Sequence, residues 1–400
     1  MSDNSQPAMD HIHNLAASIG GRGSCTPQER QAAEYAVACM RGGGVQSVRL
    51  ETFRSSSSTY QPIALAFTVA LLGTLAAWLF GNWGLAAAAA LNALGAWGMF
   101  AESDFTPNWT RWLAARSTSQ NAVGVLSPSR FVKRCAVLCS HLDTHRTPVF
   151  YSNQIWYRLF GKLVSVAFAS MPLNAVVYAL AALTGWGGLR WVGAFFACLQ
   201  LIALALCLHA DHTPFSPGAN DNASGAGAVL ALAKRLRDDP LQHTEVWLLF
   251  TGCEEVGTHG MGAFLDAHSA ELGDDAVYII LDEVGRGQLN YLTADGLIRK
   301  RPTHPAALKL ARQAAAALPE LEVLEKVGLA YTDAAAATRR GRIALTINTL
   351  PPPGDVNAIH WHRMTDTIEH IDPRALAATL RFTWQVLLEA DKAAQTPNQF

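Results

Sequence analysis

Two long runs of the chain have no polar side to them. From Ile63 to Phe100 no residue is charged, and Leu163 to Leu208 contains only Arg190. Each run is about twice the ~20 residues that cross a hydrocarbon core. Each is broken near its middle, by Gly81-Asn82-Trp83-Gly84 and by Thr184-Gly185-Trp186-Gly187-Gly188. The pattern predicts two helical hairpins, 61–100 and 163–209, giving four spans. A helix on the surface of a soluble domain keeps a polar stripe toward water, and these runs have almost none. Trp78, Trp83, Trp97, Trp186 and Trp191 fall near the span ends, as an interfacial aromatic belt would. The alternative open to the sequence is a pair of buried or dimer-forming hairpins in a soluble protein.

A hairpin leaves and returns on one side, so the remaining chain is expected on a single face of a lipid bilayer. Arg54, Arg111, Arg116, Arg158 and Lys162 flank that side, whereas the two turns carry only Arg190. By the positive-inside rule this predicts a cytoplasmic catalytic portion in a bacterial-type inner membrane. Met1-Ser2-Asp3-Asn4 opens no basic and apolar signal sequence.

Outside the hairpins, in 1–60, 101–162 and 210–400, the periodicity switches between 3.6 and 2. Thr26-Pro27-Gln28-Glu29 is a capping box with Pro at the first helical position, opening a helix to about Met40. Val45–Phe53, Asn121–Leu126, Cys135–Cys139, Val246–Phe250, Val277–Leu281 and Ile343–Ile347 read as strands, the last leading into a proline-rich loop at 351–353. Ala223–Arg237 reads as a helix with Ala228, Val229, Leu232 and Leu236 on one face. Strands alternating with helices predict an α/β fold, a three-layer α/β/α domain with a mixed, mostly parallel sheet.

Composition narrows the chemistry. The net charge of -1 excludes a nucleic-acid partner, because phosphate binding needs a basic surface. Seven cysteines, odd in number and scattered, form neither a zinc knuckle nor a disulfide framework; Cys135 and Cys139 read as core.

Four motifs follow in order: Ser140-His141-Leu142-Asp143, Gly218-Ala219-Asn220-Asp221-Asn222-Ala223-Ser224-Gly225, Gly252-Cys253-Glu254-Glu255-Val256-Gly257 and His362-Arg363-Met364-Thr365-Asp366-Thr367, with Asp282 between the last two. Singly each is weak; together they supply the carboxylates and imidazoles of a two-metal hydrolytic site. His141, the Glu254-Glu255 pair and Asp282 come after apolar strands, and the carboxyl ends of parallel strands are where open α/β sheets bind ligands.

On these motifs the chain resembles the co-catalytic zinc aminopeptidases, metallopeptidase family twenty-eight, over roughly residues 10–54, 118–146 and 214–392. The resemblance implies two zinc ions held by His141, Asp221 as bridge, Glu255, Asp282 and His362, with Glu254 as general acid/base. Asp143 is implied as the partner of the His141 ring and Asp366 as that of His362. Relatives commonly have a cis peptide after the bridging Asp. Two alternatives stay open: Glu283 for Asp282, and His360 for His362. Tyr331 and Asp333 resemble the substrate-pocket segment, followed here by Ala334–Ala337 in place of the usual His and Phe. His145 reads as a surface or structural histidine. The implied activity is hydrolysis of N-terminal peptide bonds, with peptides as substrate. The competing expectations are a glutaminyl-cyclase-like single-zinc acyltransferase and a non-catalytic membrane scaffold. Nothing in the sequence sets an oligomeric state.

Overall fold

The computed structural model describes residues 5–351 and 360–395. Pro352 and Pro353 of the expected proline-rich loop lie outside the described residues. The chain divides into two compact units, one of Met1–Ser57, Ser117–His145 and Phe215–Phe400, the other of Ser58–Arg116 and Arg146–Pro214.

The first unit is built on a mixed sheet with nine strands among the described residues. These are β1 (Gln46–Ser56), β2 (Arg116–Leu126), β3 (Arg134–His141), β4 (Thr244–Thr251), β5 (Val277–Leu281), β6 (Gln288–Asp295), β7 (Arg301–Pro302), β8 (Leu324–Val327) and β9 (Ile343–Leu350). The order is β1-β2-β4-β3-β5-β9-β6-β7, with β8 beside β6. The middle four, β4, β3, β5 and β9, are mutually parallel. β2 joins β4, and β6 joins β9, antiparallel.

The near-continuous apolar runs of the central strands follow from burial on both faces. The period of two sends alternate residues to opposite cores. Leu138, Leu248, Phe250, Ile279, Leu281 and Leu345 pack with the helices Pro27–Gly42, Gly225–Asp238, Pro305–Ala317 and Pro373–Gln395. Val137, Cys139, Leu249, Tyr278 and Ile280 pack on the other side with Met261, Phe264 and Leu265 of the helix His259–Leu272. The expected three-layer α/β/α architecture is thus observed. The expected helix start is also met: the Thr26 side chain accepts from the Glu29 N–H with Pro27 at the first turn.

The second unit is helical. Tyr60–Leu79, Gly81–Ser103, Gln154–Thr184 and Leu189–Asp211 are each long and apolar enough to cross a membrane, with mean hydropathies of 2.0, 1.4, 1.8 and 2.3. The first break falls at Phe80, so Gly81-Asn82-Trp83-Gly84 forms the opening turn of the next helix. Gly73 and Gly95 let these helices approach closely: a Cβ would stand 3.1 Å from Ala88 Cα at the first and 2.7 Å from Ala66 O at the second. Inside, Gln200 donates to Asn92 at 3.0 Å, and Asn92 donates to Ala70 O and Ala88 O.

Candidate metal centre

Parallel neighbours end on the same side of a sheet, so β3, β4 and β5 deliver their next residues to one place. β3 ends at His141, β5 is followed by Asp282, and the turn after β4 carries Glu254 and Glu255. Asp221 comes from the turn Ala219–Ser224 ahead of the helix Gly225–Asp238, and the Asp221–Asn222 peptide is cis. The Asn222 side chain donates to Leu281 O at 2.9 Å and accepts from Gly225 N–H at 3.0 Å, tying this turn to the end of β5.

Two buried clusters result, His141–Asp221–Asp282 and His145–Glu255–His362. Asp221 links them. Its Oδ1 lies 3.3 Å from His141 Nε2, and its Oδ2 lies 3.3 Å from His362 Nε2. Asp282 Oδ1 is 3.5 Å from His141 Nε2, and Glu255 Oε2 is 3.4 Å from His362 Nε2. Ligands ~2.0–2.2 Å from a shared tetrahedral cation stand about 3.3 Å apart, so the donor spacing, like the donor chemistry, fits zinc. Glu254 Oε1 is buried without a hydrogen-bond partner among the described residues, an orphan suited to a reacting proton.

Between the open alternatives the geometry separates the candidates. His362 is in a cluster, whereas His360 stacks on His370 and bonds Thr365 Oγ1 at 2.9 Å. Asp282 joins His141, while Glu283 sits at φ 53° with its carbonyl accepting from Thr349 N–H at 2.9 Å.

Several supporting contacts differ from expectation. The His141 Nδ1–H donates to the Asp143 backbone carbonyl at 3.0 Å, with the carboxylate at 3.6 Å. The Asp143 carboxylate instead accepts Glu254 N–H, Glu255 N–H and the Ser24 hydroxyl, at 3.0, 3.1 and 2.6 Å. Asp366 accepts Asn220 N–H and Asp221 N–H at 2.8 and 3.0 Å, so it orients the segment that carries Asp221. Tyr331 donates to Glu255 O at 3.2 Å. Asp333 is buried and accepts the Thr251 hydroxyl at 2.5 Å, at the head of the helix Asp333–Arg339.

Three residues outside the motifs complete the surroundings. His145 is buried and stacks on His362 with ring centroids 3.7 Å apart; its i+4 spacing from His141 was the available signal. Arg22 is fully buried beside Asp366, Asp143 and Asp221. Glu29 is fully buried and accepts the N–H groups of both Cys25 and Cys253 at 2.9 Å.

Burial raises the Glu254 carboxyl well above its usual range, helped by Glu255, Asp333 and Asp282 against the opposing His141. Glu255 is raised to about 7, by burial first and then by Asp221. For Asp221, burial is overcome by His141 and His362, and its carboxyl is held well below the ordinary value. For His362, burial is outweighed by Glu255 and Asp221, which raise it to about 9.

A mixed α/β/α sheet with paired carboxylate–imidazole clusters at its carboxyl edge has the donor set of a metal-dependent hydrolase. Residues 201–387, which hold Asp221, Glu254, Glu255, Asp282 and His362, match the model of peptidase family M28. A probable lipoprotein aminopeptidase, LpqL, of Mycobacterium tuberculosis is 29% identical over 196 residues, 42% of this chain and 38% of its own length. The chain thus spans well under half of that relative. Among solved structures, the zinc aminopeptidase BSAP of Bacillus subtilis superposes with a TM-score of 0.58 at 15% identity, covering 97% of this chain and 95% of that one. A glutaminyl cyclase of Bacteroides thetaiotaomicron superposes at 0.56 with 15% identity, covering 97% and 98%. At these identities the two likenesses describe the fold.

Proposed function

We propose that the chain is a membrane-anchored, zinc-dependent aminopeptidase with a two-metal site. The observation that carries this reading is the Asp221 carboxylate, with one oxygen 3.3 Å from His141 Nε2 and the other 3.3 Å from His362 Nε2. One zinc would be held by His141, Asp221 and Asp282, the other by Asp221, Glu255 and His362. When bound, the pair supplies Lewis-acid polarisation of a carbonyl and lowers the pKa of water toward ~7.

The residues of the chain do the rest. Glu254 takes the proton of the attacking water and returns it to the leaving amine, a role that suits a buried carboxyl whose proton affinity is raised. Asp143 fixes that carboxyl by accepting the backbone N–H of Glu254 and of its neighbour. Asp366 keeps the bridge in register by holding Asp221 N–H. Tyr331 stands at the Glu255 loop, where a substrate's first residue would be gripped.

The anchor is supported by the outward faces of the four long helices. Leu72, Trp97, Leu183, Phe195 and Leu201 are all more than half exposed, which a bilayer would cover and water would not tolerate so densely. The charge bias flanking the spans favours the cytoplasmic side for the catalytic unit.

The test is elemental analysis of detergent-purified wild type and Glu254→Gln together with hydrolysis of aminoacyl anilides. We expect about two zinc per chain in both, with turnover in the wild type alone. A single zinc with cyclisation of an N-terminal glutaminyl peptide would instead establish the acyltransferase. No metal and no turnover would leave a scaffold.

A further inference from the structure

The Sγ atoms of Cys25 and Cys253 lie 3.5 Å apart, although 228 positions separate the two residues in sequence. Both cysteines are free thiols. Neither the metal clusters nor the proposed reaction uses them. Their placement is enforced from below: the Glu29 carboxylate accepts Cys25 N–H through Oε2 and Cys253 N–H through Oε1, each at 2.9 Å. Both residues adopt positive φ, 63° and 55°, so each marks a sharp local turn of the backbone. Cys253 is fully buried and Cys25 only partly so.

We propose that Cys25 and Cys253 are a built disulfide site, oxidised by peroxides, whose closure switches off the neighbouring hydrolytic centre. A disulfide brings its sulfurs to about 2.05 Å, so closure needs an approach of roughly 1.5 Å. Cys25, the reachable sulfur, attacks the peroxide O–O bond. One oxygen stays as Cys25 sulfenic acid, and the other leaves as water or an alcohol carrying the thiol proton. The Cys253 sulfur then attacks the sulfenic sulfur, the S–O bond breaks and a second water departs with the Cys253 proton. Two thiols have been oxidised and one peroxide reduced, and a dithiol reverses the bond by exchange.

The consequence for the site follows from covalent adjacency. Cys253 is bonded to Glu254, whose N–H is held by Asp143, and Ser24, next to Cys25, donates to that same carboxylate at 2.6 Å. Drawing the two turns together displaces both the general base and the group that fixes it. A misplacement of about 1 Å in a catalytic group can cost ~100-fold in rate, so a loss of about 10- to 100-fold is expected on oxidation. The effect on turnover rests on the peptidase reading; the disulfide does not.

The experiment treats the detergent-purified full chain with hydrogen peroxide and maps its cysteines by mass spectrometry, while aminoacyl-anilide turnover and circular dichroism are followed. A linked pair of peptides carrying Cys25 and Cys253, turnover reduced by about 10-fold or more, and recovery of both in dithiothreitol are expected. Cys25→Ser, which keeps a donor toward Ser56 O, should turn over like the wild type and resist peroxide. Oxidation at Cys198 or further oxidation of Cys25 without the linked pair, in a chain that keeps its circular dichroism, overturns the site. A linked pair with unchanged turnover overturns the switch. A reduced wild type without turnover sinks the peptidase reading, and the yield of linked peptide still judges the disulfide.

Discussion

Arg22 reaches five backbone carbonyls, those of Leu15, Gly20, Leu142, Pro217 and Gly218, at 2.8–3.0 Å. The carbonyls of Leu142, Pro217 and Gly218 belong to the segments that bear Asp143 and Asp221, so one fork of donors clamps both to the amino-terminal segment of Leu15 and Gly20. Burial lowers its pKa to about 10, with Asp366, Asp143 and Asp221 opposing, and it remains a cation among carboxylates. Arg22→Met would strip these acceptors of their donors and the carboxylates of a charge partner, a loss of roughly 3–5 kcal/mol. Arg22→Lys restores the charge with three donors and should recover only part of this. Thermal melts of the metal-free chain check both; equal stability of Lys and wild type would refute the clamp. A second residue links burial to pH. Asp295 is raised to about 7 by burial, against its bonds from Thr332 and Gly296. Its folded pKa exceeds its unfolded value, so the fold binds this proton more tightly, and its stabilising effect is full below about pH 4 and is lost as pH rises through 7. Asp295→Asn should flatten the fall in melting temperature between pH 5 and 8 by an amount worth up to about 3 kcal/mol; an unchanged slope would refute it. The motif residues His141, Asp221, Glu254, Glu255 and Asp282 are legible in the sequence because strand ends and short spacings announce them. Arg22 and Glu29 are not, since their partners lie up to 196 and 224 positions away and no local periodicity marks them. Even Asp143, expected to hold the His141 ring, has its contacts reassigned by geometry that crosses from β3 to the turn after β4.

At the scale of elements, the helix Gly225–Asp238 seats its first turn directly on the ends of β3 and β5. A Cβ on Gly225 would stand 2.4 Å from Leu281 O, 2.4 Å from Asn222 Oδ1 and 2.6 Å from Ser140 Oγ. The first of these is backbone one residue before Asp282, so the strand end must shift if the helix does not. Gly225→Ala should therefore destabilise by ~1–3 kcal/mol or more and weaken zinc binding together. Gly42, at the end of the helix Pro27–Gly42, meets nothing within 4 Å. Gly42→Ala is the control, expected to be neutral or stabilising by about 0.4–1 kcal/mol. Equal melting temperatures and zinc affinities for the two variants would show that the helix seat is slack. The buried strands were the legible ones: Val277–Leu281 coincides with β5, because a short apolar run between Asp275 and Asp282 leaves little choice. The strand Gln288–Asp295 went unforeseen. Its Asn290, Thr293 and Asp295 break the apolar pattern, and its place depends on pairing with β9 and β8, which local sequence does not encode.

At the scale of the whole chain, the four long helices reach about 30 Å or more at 1.5 Å per residue, a bilayer's hydrocarbon thickness. They were legible because apolar runs without a polar stripe have few other uses. Their exact ends were not: the third begins at Gln154, ahead of Leu163, since Asn153 caps it through Ile155 N–H and Trp156 N–H. The helical unit is two insertions, and the first unit closes across both. Ser216 N–H donates to His145 O at 2.9 Å, so the ends of the second insertion are already hydrogen-bonded neighbours. β1 and β2, which flank the first, are adjacent in the sheet, and Arg54 reaches Thr118 Oγ1 at 3.5 Å. A chain in which 58–116 and 146–214 are each replaced by a short Gly-Ser linker should therefore keep its sheet, because closing short loops between neighbouring ends costs little entropy. It should appear in the soluble fraction and bind zinc, while the full chain stays with carbonate-washed membranes. A full chain released by the carbonate wash would refute the anchor. An excised chain that folds only with its insertions restored would show that the helical unit also holds the catalytic one together, and the division into a site-bearing sheet and an anchoring bundle would have to be given up.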